Sequence, residues 1–247
     1  MAGWRPLGVC LAAALALAAC SPEPASDSGA ASSQPADLSW YLEPAFKAAF
    51  GGSPPVAREV ERQDGKATVQ YSPNMLVDLG GDRVALVSTG ALEGCQDCGG
   101  AVAIHYLQRS GGEFHVVGQW LDLRPRASVG ALPEAHVRTD LFARPALQIE
   151  LPDRNQGCET ASASLFELEP GGPILRARDI VTARSNIAMG AVRVGPMIDD
   201  YGNILPDVKG ERFRVAYRGT LPGEVIYAPG KPQGVWTPQG EFKLPEC

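Results

Sequence analysis

Apolar and polar positions alternate most densely over residues 83–121, and that stretch organises the chain. Val84–Thr89 is nearly all apolar or small, the pattern of a strand buried on both faces. Ala101–Arg109 and Glu113–Leu121 alternate on either side of Gly111-Gly112, which predicts a hairpin with a two-residue turn. In that register Leu107 pairs with Val116, Tyr106 with Val117 and His105 with Gly118. His105 and His115 then point to opposite faces, so a two-histidine site would need a slip or a bulge. Upstream, Val56–Arg62 and Ala67–Tyr71 flank Gln63-Asp64-Gly65-Lys66, a tight-turn sequence, and Met75–Leu79 reads as a further strand before a Gly-Gly-Asp turn. Ahead of these, Leu38–Phe50 is amphipathic, with Asp37 as N-cap and Gly51 at the stop. Pro44 inside it predicts a kink or a later start. Its stripe of Tyr41, Ala45, Phe46, Ala48, Ala49 and Phe50 reads as a docking face.

The pattern repeats. Val84-Ala-Leu-Val, Cys95, Ala103-Ile-His-Tyr-Leu and Gly111-Gly112 match Leu147-Gln-Ile-Glu, Cys158, Ser164-Leu-Phe-Glu-Leu and Gly171-Gly172 in order and nearly in spacing. A looser third unit lies in Phe213–Tyr217, Glu224–Tyr227 and Gly234–Thr237. With 21 prolines and 28 glycines punctuating the chain, this predicts a mainly β fold. It would consist of antiparallel repeated hairpin modules, propeller-like or as stacked sheets, with a short N-terminal helix. Repeated modules place equivalent loops on one side, so Glu93–Gly99 and Arg154–Glu159 should share an end.

Residues 1–19 open with a single basic residue, Arg5, and continue with the apolar run Leu7–Ala19, too short to span a bilayer and suited to an export signal. Its end, Leu17-Ala-Ala-Cys20, resembles the lipobox of bacterial lipoproteins. The resemblance implies removal of the signal, a lipid on Cys20 and attachment to a membrane through that lipid. Ser21 at the next position implies outer-membrane sorting, with the domain in the periplasm. Residues 20–37 carry no large apolar side chain and read as a disordered tether, with a reach of roughly 20–25 Å. The remainder, 38–247, has the length of a single β-rich domain. Without Arg5 the chain has 21 basic and 28 acidic side chains, a formal charge of −7, which argues against nucleic acid as a partner and against binding to an anionic bilayer through the protein surface.

Four cysteines remain in the exported domain, Cys95, Cys98, Cys158 and Cys247, with three possible pairings in an oxidising compartment. Cys95-Gln-Asp-Cys98 is the one motif with chemistry of its own. A redox Cys-x-x-Cys opens a helix whose amides stabilise a thiolate, whereas Gly99-Gly100 and a strand pattern follow here. Whether Cys98 is followed by a helix or a strand separates a reactive dithiol from an inert bond. The buried strand, Cys-x-x-Cys, apolar strand and aromatic hairpin, with Leu147–Leu168, resemble a family of uncharacterised exported bacterial proteins carrying a Cys-His-Ala-Cys motif; Gln96 stands at the histidine. The resemblance implies a Cys95–Cys98 bond, leaving Cys158 to Cys247, and no activity. The second bond would close a loop worth about 4–5 kcal/mol in the chain-entropy model.

Other chemistry is sparse. Asp78 and Asp82 sit like the first acids of a calcium loop, but Gly80 replaces the second ligand, so a turn is the simpler reading. Asp199-Asp200-Tyr-Gly-Asn203 with Asp207 looks like an acidic turn without the EF-hand spacing. His136 reads as a solvated loop residue. No nucleophile-elbow, Ser-x-x-Lys or His-Glu-x-x-His signature is present. The expectation is a non-catalytic binding or envelope-support module without a cofactor, its partner an envelope protein or a small ligand. Candidate binding residues are Glu93, Gln96, Asp97, Arg154, Asn155, Glu159 and the one tryptophan in a Pro-Gly-rich loop, Trp236. The competing reading is a thiol-disulfide protein using Cys95 and Cys98.

Overall fold

The amphipathic segment folds as a 3-10 turn, Ser39–Tyr41, running into helix α1, Leu42–Phe50. The computed structural model describes residues 38–62, 65–94, 99–123, 132–155, 157–187, 196–231 and 234–246. Pro44 lies in the first turn of α1, where its missing N–H has no helical acceptor to lose, so the helix starts late and is not kinked. The cap position is therefore Tyr41, and the expected cap, Asp37, lies outside the described residues. Gly51 ends the helix at φ 72°, its N–H donating to the Lys47 carbonyl at 2.8 Å. Ala45, Phe46 and Phe50 are buried, while Tyr41 and Ala48 are exposed, so the docking face is narrower than the stripe.

Thirteen strands follow among the described residues. β1 (Val56–Arg62), β2 (Gly65–Gly80), β3 (Arg83–Leu92), β4 (Gly100–Ser110) and β5 (Glu113–Trp120) form a five-stranded antiparallel meander. β6 (Glu134–Arg138), β7 (Ala146–Asn155), β8 (Cys158–Glu169), β9 (Gly172–Ser185), β10 (Asp199–Val208), β11 (Arg212–Gly219), β12 (Gly223–Pro229) and β13 (Trp236–Gln239) form a second meander of eight. The second sheet curls into a half-barrel.

Three apolar clusters hold these layers. Under α1, Phe46 and Phe50 pack on Val60, Val69, Tyr71, Val84, Leu86, Ala103 and Leu107. Between the sheets, Ala85, Val87, Val102, Ile104 and Tyr106 meet Leu147, Ile149, Phe166 and Leu168. Inside the half-barrel, Leu141, Leu165, Ile180, Ile204, Phe213, Val215 and Tyr227 surround Trp236. The continuous apolar run of β3 serves two layers at once, Val84 and Leu86 facing α1, Ala85 and Val87 facing the second sheet.

The repeated units are stacked front to back. Val84, Leu86, His105 and Leu107 face α1, and their counterparts Leu147, Ile149, Phe166 and Leu168 face the first sheet. The same positions thus meet the preceding layer in both modules, and stacked sheets are the arrangement found.

The organising hairpin keeps its expected register only near the turn. Leu107 faces Val116, but a bulge then shifts Tyr106 opposite Gly118 and His105 opposite Gln119. Met75–Leu79 also differs from expectation, because it continues the strand that starts at Gly65. β1 pairs with β2 no further than Tyr71, so Pro73 sits on an open edge where its missing N–H costs no ladder bond.

Candidate functional site

Arg83 Nη1 donates to the Pro170 carbonyl at 3.3 Å, and the Trp120 indole lies against Gly172 so closely that a Cβ there would stand 2.4 Å from the ring. The start of β3 and the β8–β9 turn therefore share one end of the stack, and the Trp120 indole reaches the residue that follows that turn. β3 runs away from that end and β8 runs towards it. Consequently the end of β3 at Leu92 and the start of β8 at Cys158 lie towards the other end.

At that end Glu93 is fastened through its backbone, its N–H donating to the Thr68 carbonyl at 2.9 Å. Cys95, Gln96, Asp97, Cys98 and Cys247 lie outside the described residues, as does Cys20. Arg154 and Glu159 are cross-strand partners joined by an ion pair at the surface. Asn155 stands opposite Cys158, the only cysteine among the described residues, which is disulfide-bonded. The register then continues from Glu159 to Ser185 and from Ser185 to Asp199. Tyr201 follows, its hydroxyl bonded to the Asp199 carboxylate; that bond, then the charges of Asp199 and Glu159, raise its pKa. Asp199 Oδ1 is shielded from solvent and has no hydrogen-bond partner.

Arg154, Glu159, Ser185 and Asp199 thus form one polar row across four strands, predominantly acidic and beside the β7–β8 turn. It can offer carboxylate and hydroxyl acceptors to a basic or hydroxylated group. The row joins two stretches that read separately in the sequence. Asp199 and Asp200 are not in a turn but open β10, and β10 reaches β9 only after an intervening segment, so nothing local signals their meeting with Glu159. Asp200 is buried, and its Oδ1 accepts the Leu221 N–H at 2.7 Å.

Other candidates have structural placements. Trp236 is buried, stacked on Phe213 at 5.5 Å and edge-on to Phe142 at 4.9 Å, so it is a core anchor and not a loop platform. Asp78 Oδ1 accepts the Gly80 N–H at 2.9 Å, which closes the turn, and the Asp82 carbonyl accepts the Arg109 N–H at 2.7 Å. No group of three or more His, Cys, Asp or Glu suited to a metal ion occurs among the described residues. His136 is exposed as expected, but on strand β6, with Nε2 at 3.7 Å from Glu134.

Two buried polar sets were not legible in the sequence. His105 and Ser88 lie beneath α1, both buried, with His105 Nδ1 and Ser88 Oγ lacking hydrogen-bond partners. The imidazole meets the Phe50 ring edge-on at 4.6 Å. Burial, and then the nearby Arg58 charge, lowers its pKa to about 4, so it is neutral at pH 7. The second set is a salt-bridge network at the opposite end from the polar row. Buried Glu167 accepts from Arg176 Nε at 2.7 Å and from the Arg144 N–H at 3.1 Å, while Arg176 and Arg144 also hold Glu169. Every oxygen of Glu167 is engaged, as a carboxylate in a packed interior requires.

No family model, curated protein or solved structure matches the chain. No helix among the described residues is long and apolar enough to cross a membrane.

Proposed function

We propose that the chain is an exported lipoprotein held at the outer membrane by a lipid on Cys20, with residues 38–247 in the periplasm as a non-catalytic binding or envelope-support module. The observation that carries this reading is Leu17-Ala-Ala-Cys20 at the end of the apolar run Leu7–Ala19. The polar row at Arg154, Glu159, Ser185 and Asp199 is the surface best suited to a partner, an envelope protein or a small ligand that brings a basic or hydroxylated group. The alternative is a thiol-disulfide protein using Cys95 and Cys98. Strand β4 begins at Gly100, two residues past Cys98, which supplies no helix N-terminus to stabilise a thiolate and so favours an inert bond.

The pairing of Cys158 with Cys247 belongs to the same proposal. Arg184 Nη1 donates to the Pro245 carbonyl at 2.6 Å, and Arg184 stands opposite Thr160, two residues from Cys158. Pro245, two residues before Cys247 in the sequence, is thereby held near the start of β8, which supports the pairing.

Lipidation is tested by labelling cells that express the chain with a palmitate analogue and fractionating their envelope. The wild-type chain takes up label and sediments with the outer membrane, while Cys20→Ser does neither. Absence of label from the wild-type chain would overturn the reading.

A further inference from the structure

The described residues begin at Leu38, 18 residues past Cys20, and two large aromatic side chains follow at once. Trp40 is 84% exposed and Tyr41 44%, although neighbouring Phe46 and Phe50 are buried in the core. Tyr41 lies edge-on to Phe114 of β5 at 6.1 Å, and further along that strand Val116 and Val117 are 41% and 51% exposed. Beside Tyr41 is a shallow open cavity of about 260 Å³, lined by Tyr41, Asp82, Arg109, the Ser110–Gly112 turn and Phe114. Arg109 is half-buried in the cavity wall, its Nε shielded from solvent and without a hydrogen-bond partner. The edge between α1 and β5 therefore combines exposed aromatics, aliphatic side chains and two opposite charges.

Trp and Tyr have an apolar body and a polar tip, the combination that settles at the boundary between headgroups and acyl chains. A lipid on Cys20 would tether this edge to the bilayer through the 17 residues between Cys20 and Leu38, at a high effective concentration. At that effective concentration a contact too weak to recruit a free protein suffices to orient a tethered one. We infer that the α1–β5 edge around Trp40 and Tyr41 rests on the phospholipid surface, with a zwitterionic headgroup in the cavity, its phosphate on Arg109 and its ammonium facing Asp82. This inference rests on the lipid at Cys20 proposed above. A guanidinium offers phosphate paired charge-assisted bonds, and Arg109 lines the cavity. The edge lies across the first sheet from the half-barrel, so the contact leaves the half-barrel directed away from the membrane.

The test uses the full chain purified from membranes, reconstituted in zwitterionic phosphatidylethanolamine and phosphatidylcholine vesicles whose acyl chains carry bromine, a contact quencher of indole. Mass spectrometry of the Cys20 peptide reports the lipid independently. Expected is a quenched component that disappears in Trp40→Phe and falls two- to fivefold in Arg109→Gln; Trp40 lies at the surface and Arg109 is half-buried, so far-UV spectra and thermal unfolding check that both variants fold. Cys20→Ser should need at least tenfold more lipid for the same quenching. A lipid-bearing chain whose Trp40 is not quenched would overturn the membrane-contact inference and leave lipidation standing. Quenching of Trp40 in a chain without the lipid would support the contact and overturn the lipoprotein reading. With neither lipid nor quenching, both fall.

Discussion

His105 should make the domain lose stability in mild acid, and the size of the loss follows from its surroundings. The ring is buried under α1 against Phe50, Nδ1 has no partner, and Arg58 adds positive charge nearby, so protonation is opposed from every side. The folded-state pKa is about 4, against 6.5 in the unfolded chain. Below pH 6.5 the unfolded chain binds a proton that the folded chain refuses, so stability falls with pH until about pH 4, where the folded ring also protonates. Linkage gives a loss of about 2 kcal/mol by pH 5 and about 3 kcal/mol by pH 4 from this residue alone. Urea unfolding monitored by tryptophan fluorescence, at pH 7, 6, 5 and 4, measures it for the wild type and for His105→Leu. Carboxylates that titrate in the same range contribute to both proteins and drop out of the difference. The wild type should weaken relative to His105→Leu by those amounts as the pH falls. A difference independent of pH would refute the reasoning, because it would mean that the ring can charge in place.

Two substitutions probe the half-barrel side. Glu167→Gln leaves Arg176 facing a neutral amide in a largely buried setting, and should lower stability by about 2–4 kcal/mol in urea unfolding at pH 7; a change below about 0.5 kcal/mol would show the pair to be dispensable. Gly219 stands at φ 126° with the Asp199 carbonyl oxygen 1.9 Å from any Cβ, whereas Gly81 at φ 63° opens into free space. Gly219→Ala should therefore prevent stable folding or shift the strands holding Asp199, while Gly81→Ala costs about 1 kcal/mol of backbone strain, a contrast read by thermal unfolding. Equal costs at the two sites would contradict the account of the β10–β11 end.

Much of the first sheet was legible because its signals are local. Gly111-Gly112 and the flanking alternation locate the β4–β5 hairpin, and the apolar run at Val84 identifies a strand covered on both faces. Features set by distant neighbours were not. The bulge that moves His105 opposite Gln119 has no sequence marker, since the alternation tolerates either register beyond Val116. Pro73 reads as punctuation, and only the early end of β1 allows a strand to pass through it. Trp236, set among prolines and glycines, reads as a loop residue; its burial depends on Phe142 and Phe213, far away in the chain. The polar row was half legible. Arg154 and Glu159 follow from the repeat, but Ser185 and Asp199 join them only through pairing of β8 with β9 and of β9 with β10.

The central claim, a lipid-held module that works without thiol chemistry, is tested most directly by a redox titration of the purified chain, with alkylation and mass spectrometry assigning the cysteines that open at each potential. The account predicts that Cys95 and Cys98 stay bonded to below about −300 mV, as structural bridges do. Opening of that pair between about −120 and −230 mV, the range of catalytic dithiols, while Cys158 stays bonded to Cys247, would contradict it.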